Sequence, residues 1–157
     1  MYRHTLLWFT NNLRLDDNPV FDQACNSEQL TCLFIQHPRD KRTNRFGFKG
    51  IGQHRQQFLN QALVSLNTNL QALNQALEIV SSDYVDALSQ LILRDQTEHL
   101  VTSRHTGSYE QSALKEIASR FPHLVITVVE THTLFNERQL PFTLSELPDS
   151  FTPFRKR

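Results

Sequence analysis

The chain predicts an α/β fold: a Rossmann-like, five-stranded parallel sheet in the order 3-2-1-4-5, with helices on both faces in three layers. Three observations predict it. Short apolar runs without polar alternation recur along the chain, as expected of parallel strands covered on both sides. Segments with apolar residues at three- and four-residue steps lie between them. The resulting βαβαβαβαβ order implies right-handed crossovers.

The first strand is Thr5-Leu6-Leu7-Trp8-Phe9. Asn18 followed by Pro19 supplies a capping side chain and a proline at the first helical position, so a short helix runs from Pro19 to Cys25. Leu30 to Gln36 is the second strand, stopped by Pro38. Arg39 to Ile51 is a polar, basic loop with Gly47 and Gly50, followed at once by Gly52. It has no periodicity and a length that marks functional or mobile loops.

From Gln53 the positions Phe58, Leu59, Ala62, Leu63, Leu66, Leu70 and Leu73 form the apolar stripe of a helix of five or six turns. Leu77 to Val80 is the third strand, and Asp83 caps a helix whose apolar side is Val85, Leu88, Leu91 and Ile92. His99 to Ser103 is the fourth strand. Ser108 reads as the next N-cap, with Gln111 as its capping-box partner. The apolar side of that helix runs Leu114, Ile117, Ala118 and Phe121, and it stops at Pro122. The β-branched run Leu124 to Glu130 is the fifth strand.

In this strand order the connection from strand three to strand four jumps across the sheet. It leaves a crevice between the carboxyl ends of strands one and four, flanked by Thr10 to Asp17 and Arg104 to Gly107.

A chain of 157 residues fits one domain. Its formal net charge of zero predicts weak non-specific nucleic-acid binding. Cys25 and Cys32 are expected to be buried, reduced thiols. No secretory segment or apolar stretch of about 18 residues occurs, so a soluble cytoplasmic protein with no membrane partner is expected. The seven histidines show no metal-ligand spacing and read as mostly surface residues, so no metal is predicted.

No Gly-x-Gly-x-x-Gly follows the first strand, no phosphate loop is present, and no serine sits on a nucleophile elbow. Arg14, paired with Asp17, reads as shaping the first loop, and Asp17 and Asn18 read as caps. Trp8 reads as core. Glu110 lies in the first turn of the helix after strand four. It is either a ligand carboxylate facing the crevice or a helix-dipole glutamate in solvent.

Trp8, Phe9, Asn12, Leu13, Arg14, Leu15, Asp17 and Asn18 match the pattern Trp-Phe-x-x-(Asn/Asp)-Leu-Arg-Leu-x-Asp-Asn. This resembles the first strand and loop of the photolyase/cryptochrome family, with Thr10 standing where that family usually has Arg. Phe46, Phe48, Gly52, Arg55, Phe58, Leu59 and Leu140-Pro141-Phe142 are similar to the cryptochrome DASH branch. Phe151, Phe154, Arg155 and Lys156 resemble the start of the family's interdomain linker.

The resemblance implies an N-terminal α/β antenna domain over residues 1–135, with residues 136–157 starting a linker toward a helical FAD domain. It implies an antenna pigment such as methenyltetrahydrofolate at Glu110, with Tyr109 and His105 beside it. FAD, DNA contact and electron transfer would belong to the helical domain, so no catalytic residue is expected in this chain. As a whole, such a flavoprotein uses blue light to repair cyclobutane pyrimidine dimers, as a carbon–carbon lyase, or to sense light. Without the helical domain, a face including Phe142, Phe151 and Phe154 is expected to be exposed and to drive non-native dimerisation. The alternatives are a free-standing nucleotide- or flavin-binding module, which needs a late glycine-rich loop not found here, and an interaction domain without ligand.

Overall fold

A computed structural model describes residues 1–43, 45–48, 50–133 and 139–156. The expected boundary between residues 135 and 136 lies outside them, as does Arg157. The elements are β1 (Tyr2–Phe9), α1 (Pro19–Ala24), β2 (Ser27–Ile35), α2 (Gln53–Ala72), β3 (Leu77–Val80), α3 (Tyr84–Asp95), β4 (His99–Ser103), α4 (Ser108–Arg120), β5 (Val125–Val129) and α5 (Phe151–Arg155). The sheet order is β3-β2-β1-β4-β5, all parallel, as the sequence predicts.

β1 is the centre of the molecule. Successive side chains on a strand point to opposite faces. Leu6 and Trp8 therefore join Leu33, Leu100, Leu88, Leu91 and Ile117 in a core under α3 and α4. Leu7 and Phe9 join Phe34, Val101, Val20, Leu63, Leu66 and Leu70 in a second core under α1 and α2. Burying each such side chain is worth about 1.5–3 kcal/mol.

Asn18 caps α1 as expected and is itself buried. Its Oδ1 accepts from the Val20 N–H at 3.2 Å and from Asn12 Nδ2 at 2.9 Å, while its Nδ2 donates to the Arg14 carbonyl at 2.7 Å. One side chain thus starts the helix and folds the preceding loop.

The structure departs from expectation in several places, each with a physical reason. α4 is capped by Gly107 in extended conformation, with Ser108 already helical, and Gln111 reaches back to the His105 carbonyl at 2.7 Å. A Cβ on Gly107 would lie 2.5 Å from Glu110 Oε2, so the glycine makes room for that carboxylate. On α2, only Leu63, Leu66 and Leu70 are buried; Phe58 is exposed, and Leu73 lies past the helix end. The loop after β2 opens with a 3-10 turn, Pro38–Lys41, capped by His37 Nδ1. Gly50 packs so closely on it that a Cβ would meet the Arg39 and Asp40 carbonyls at 3.0 Å.

Cys25 is exposed, because α1 ends before it, whereas Cys32 is buried and its thiol is pushed up to about 12 by desolvation. Phe142 and Phe154 pack edge to face at 5.9 Å and are half-buried, leaving Phe151 as the exposed member of that trio. Among the described residues no helix is long and apolar enough to cross a membrane.

The histidines are not mostly at the surface: His4 and His99 are buried, and His37 and His105 are half-buried. Strand positions and threonine partners explain the first two. His4 meets Thr97 through Nδ1 and Thr31 through Nε2, both at 3.0 Å. His99 meets Thr5 through Nδ1 at 3.2 Å and Thr127 through Nε2 at 2.8 Å, with the Tyr2 ring stacked at 4.2 Å. Hydroxyls can donate or accept, so a neutral ring is satisfied.

Burial lowers the pKa of both rings, outweighing the opposing charge of Asp95 near His4. A depressed histidine pKa favours folding above the ordinary value of about 6.5, and this stability is lost as pH falls through the folded value. Unfolding free energies from urea denaturation should therefore drop between pH 7 and pH 5, by about 1.4 kcal/mol per pKa unit of depression. The double variant His4→Gln/His99→Gln should flatten that slope. An unchanged slope would contradict the assignment.

Candidate functional site

In an open parallel sheet, ligands gather at the carboxyl ends of strands where neighbouring connections diverge. β1 is that point, lying between β2 and β4. A cavity of about 350 Å³ opens there. Its floor is Trp8 and Phe9 with Phe34 and Ile35 of β2. Thr10, Asn11 and Leu13 form one wall, the turn residues Arg39 and Asp40 with Ile51 and Phe58 form another, and Tyr84, His105 and Glu110 close it.

The expected crevice lay between β1 and β4. The cavity instead extends across β1 toward β2, because the loop after β2 folds back and α2 begins beside it. Of Arg104 to Gly107, only His105 lines it. Arg14 and Asp17 do not. Arg14 donates to the Asp16 carbonyl at 3.1 Å and the Asp17 carbonyl at 2.9 Å, with the Asp17 carboxylate at 3.8 Å, and both side chains are exposed. Asp17 takes a left-handed φ of 48°, which aspartate tolerates. With Asn18, these residues shape the loop and stay off the cavity.

Glu110 sits in the first turn of α4 and is mostly buried. Its Oε1 accepts from Arg39 Nη2 at 2.9 Å and from the Tyr84 hydroxyl at 3.0 Å; Arg39 Nη2 also donates to that hydroxyl at 3.1 Å. Burial opposes its charge. The backbone N–H of its own residue, the Tyr84 hydroxyl, His105 and Arg39 outweigh burial and hold the carboxyl below the usual range. Burial, then the Glu110 charge, pushes Tyr84 up to about 12, so it stays a donor. Burial lowers the His105 pKa against the pull of Glu110.

Of the three residues expected at the site, Glu110 and His105 line the cavity. Tyr109 does not: its ring is exposed and lies under the Arg39 guanidinium at 3.9 Å. Arg39 and Tyr84 were not singled out in the sequence, where one fell in an aperiodic loop and the other beside a helix cap. Their position just past β2 and β3 was the available signal. Trp8 is core, as expected, but it also floors the cavity and packs on Tyr84 at 5.1 Å.

Three polar atoms on the lining, Thr10 Oγ1, Arg39 Nη1 and His105 Nε2, are buried without a hydrogen-bond partner among the described residues. Buried polar groups are ordinarily paired. With the ionised Glu110 and the aromatic floor, they fit a flat heterocycle that carries both donors and acceptors. Among the described residues, no group of three or more His, Cys, Asp or Glu could hold a metal ion.

A family model described as DNA photolyase matches residues 5–157. The chain is 36% identical over 157 residues to a cryptochrome DASH of Idiomarina loihiensis, covering 99% of this chain and 35% of that protein. It is 37% identical over 153 residues to a cryptochrome DASH of Vibrio parahaemolyticus, covering 96% and 34%. A solved cryptochrome of Synechocystis sp. PCC6803 has the same fold, with a TM-score of 0.87 at 24% identity over 99% of this chain and 33% of that one. So does an archaeal photolyase from Sulfolobus tokodaii, with a TM-score of 0.77 at 16% identity over 98% and 34%; it is described with two FAD molecules and a novel light-harvesting cofactor. The chain spans about a third of the length of the curated relatives it matches.

The Arg39–Glu110 pair should be coupled. Arg39→Ala and Glu110→Ala should each cost about 1–3 kcal/mol in urea denaturation, since each leaves a polar partner unpaired. A double-mutant cycle should return about 1–2 kcal/mol of interaction. Additivity within about 0.3 kcal/mol would refute the pair's importance.

Proposed function

The chain belongs to the DNA photolyase family, and on that premise we propose that it is the antenna-chromophore domain of a blue-light flavoprotein of the cryptochrome DASH branch, whose cavity holds methenyltetrahydrofolate. The observation that carries this reading is the meeting, in one cavity, of an ionised carboxylate with three buried polar atoms that lack partners.

Glu110 would accept hydrogen bonds from donor groups of a pterin, and Arg39, Thr10 and His105 would supply further polar contacts. Trp8, Phe9 and Phe34 would give the pigment an apolar surface that excludes water. Tyr109 holds Arg39 from outside through its ring. When bound, the pigment supplies light absorption and passes excitation to a flavin.

Residues 1–135 form the antenna domain and residues 136–157 lead toward a helical FAD domain, which is its partner. The roughly two thirds of each curated relative outside the match support that arrangement. In the whole protein, light and FAD would repair cyclobutane pyrimidine dimers or signal, with that chemistry in the helical domain.

Titrating the chain with methenyltetrahydrofolate and following the pigment's absorbance should give saturable binding. Glu110→Ala, with its fold checked by circular dichroism, should weaken binding about tenfold or more, the scale of a charge-assisted hydrogen bond. Undiminished binding in a folded Glu110→Ala variant would overturn the role of Glu110.

A further inference from the structure

Arg39 reaches the Glu110 cavity from the 3-10 turn Pro38–Lys41, an element too short to hold a long side chain in place unless the turn itself is held. His37 supplies both acceptors of its first turn. The ring Nδ1 takes the Arg39 N–H at 3.1 Å, and the main-chain carbonyl takes the Asp40 N–H at 3.0 Å. The other ring nitrogen, Nε2, lies 3.1 Å from Asp83 Oδ2. Asp83 in turn caps α3 through Oδ1, which accepts from the Val85 N–H at 2.9 Å. The Tyr84 ring packs against the imidazole edge to face at 4.7 Å, and only 17% of the His37 side chain is exposed. His37 thus bridges the N-terminus of α3 and the backbone of Arg39.

These contacts together admit one protonation state of the ring. A backbone N–H can only donate, so Nδ1 must be bare. An ionised carboxylate can only accept, so Nε2 must carry the proton. Asp83 is held in that form: burial opposes its charge, but the Val85 N–H, His37 and the Asp86 N–H outweigh burial and keep the carboxyl below the usual range. The opposite tautomer would set N–H against N–H at Arg39 and a bare nitrogen against the carboxylate.

We propose that His37, in its Nε2-protonated tautomer, is a positioning residue for Arg39: Asp83 selects the tautomer, the tautomer caps the turn, and the turn delivers the guanidinium to the cavity. There Nη2 meets Glu110 Oε1 at 2.9 Å and the Tyr84 hydroxyl at 3.1 Å, and Nη1 is buried without a hydrogen-bond partner among the described residues. Asp83 and Tyr84 adjoin at the start of α3, so one helix end sets the Tyr84 hydroxyl and, through His37, the cation bonded to it. The consequence for pigment affinity rests on the proposed function. The tautomer and the placement of Arg39 are properties of the free chain.

The test is NMR of the isotope-labelled 157-residue chain without pigment, reading the protonation of the His37 ring nitrogens and the position of the Arg39 Nε–H resonance. The Tyr109 ring, 3.9 Å from the guanidinium, displaces that resonance upfield while Arg39 is in place, and Tyr109→Leu marks its position without that ring. The parent chain should show a protonated Nε2, a bare Nδ1 and an upfield Arg39 resonance. Asp83→Asn keeps an oxygen for the Val85 N–H but turns an amide N–H toward His37. It should move the ring proton to Nδ1 and return the Arg39 resonance toward the Tyr109→Leu position. His37→Asn should stay upfield, because its amide oxygen caps the turn as Nδ1 does, and adding Asp83→Asn to it should change nothing. His37→Ala, checked for folding by circular dichroism, should lose the upfield shift and bind methenyltetrahydrofolate about fivefold more weakly, the scale of a lost cap. A proton on Nδ1 in the parent chain would overturn the proposal. So would an Arg39 resonance still upfield in folded His37→Ala, or an equal effect of Asp83→Asn with and without His37, which would make Asp83 act through α3 alone. A parent chain that binds no pigment would overturn the proposed function instead, and the ring protons and the Arg39 resonance would still decide the role of His37.

Discussion

Leu6, Leu7, Trp8 and Phe9 lose almost all contact with solvent because β1 lies between β2 and β4, with α3 and α4 over one face and α1 and α2 over the other. Four consecutive apolar side chains satisfy both cores only if the strand is central and parallel to its neighbours. That burial fixes the register Trp8 with Leu33 on one side and Trp8 with Thr102 on the other. It also brings the ends of β2 and β4, far apart in the chain, to the same edge of the sheet.

The site is a consequence of that edge. Beyond Phe9 the chain turns polar, and Asn18 folds the loop back through Asn12, Arg14 and its own helix. Ser103 at the end of β4 donates to Asn12 Oδ1 at 3.0 Å, tying the two strand ends together. Arg39 arrives from β2, Tyr84 from β3 and Glu110 from β4, and they meet in one hydrogen-bonded cluster. Pairing makes the buried charge of Glu110 tolerable, while Arg39 Nη1 and His105 Nε2 are buried without a hydrogen-bond partner among the described residues. The cavity thus combines an apolar floor with buried polar groups that lack partners.

Much of this could be read from residue order, and the misses share a cause. Strands three and four, the caps Asn18 and Asp83, and the strand order follow from local apolar pattern and capping chemistry, which act over a few residues. α4 begins one residue earlier than expected, with Gly107 as its cap, and a side chain there would crowd the Glu110 carboxylate that pairs with Arg39 seventy-one positions away. His4 and His99 were misplaced because their threonine partners lie on other segments. Arg39 and Tyr84 were overlooked for the same reason, since only tertiary structure puts them beside Glu110. Tyr109 was expected as a ligand group, but helical geometry turns its ring outward under Arg39.

The central claim is that the ends of β1, β2 and β4 form a preorganised pigment cavity around Glu110. Amide chemical-shift mapping of the folded chain during addition of methenyltetrahydrofolate tests it most directly. The account predicts saturable shifts clustered at Thr10, Asn11, Arg39, Tyr84, His105 and Glu110, with the opposite edge of the sheet near Thr31 and Gln96 unmoved. Shifts centred on that opposite edge, or none at saturating pigment, would contradict it.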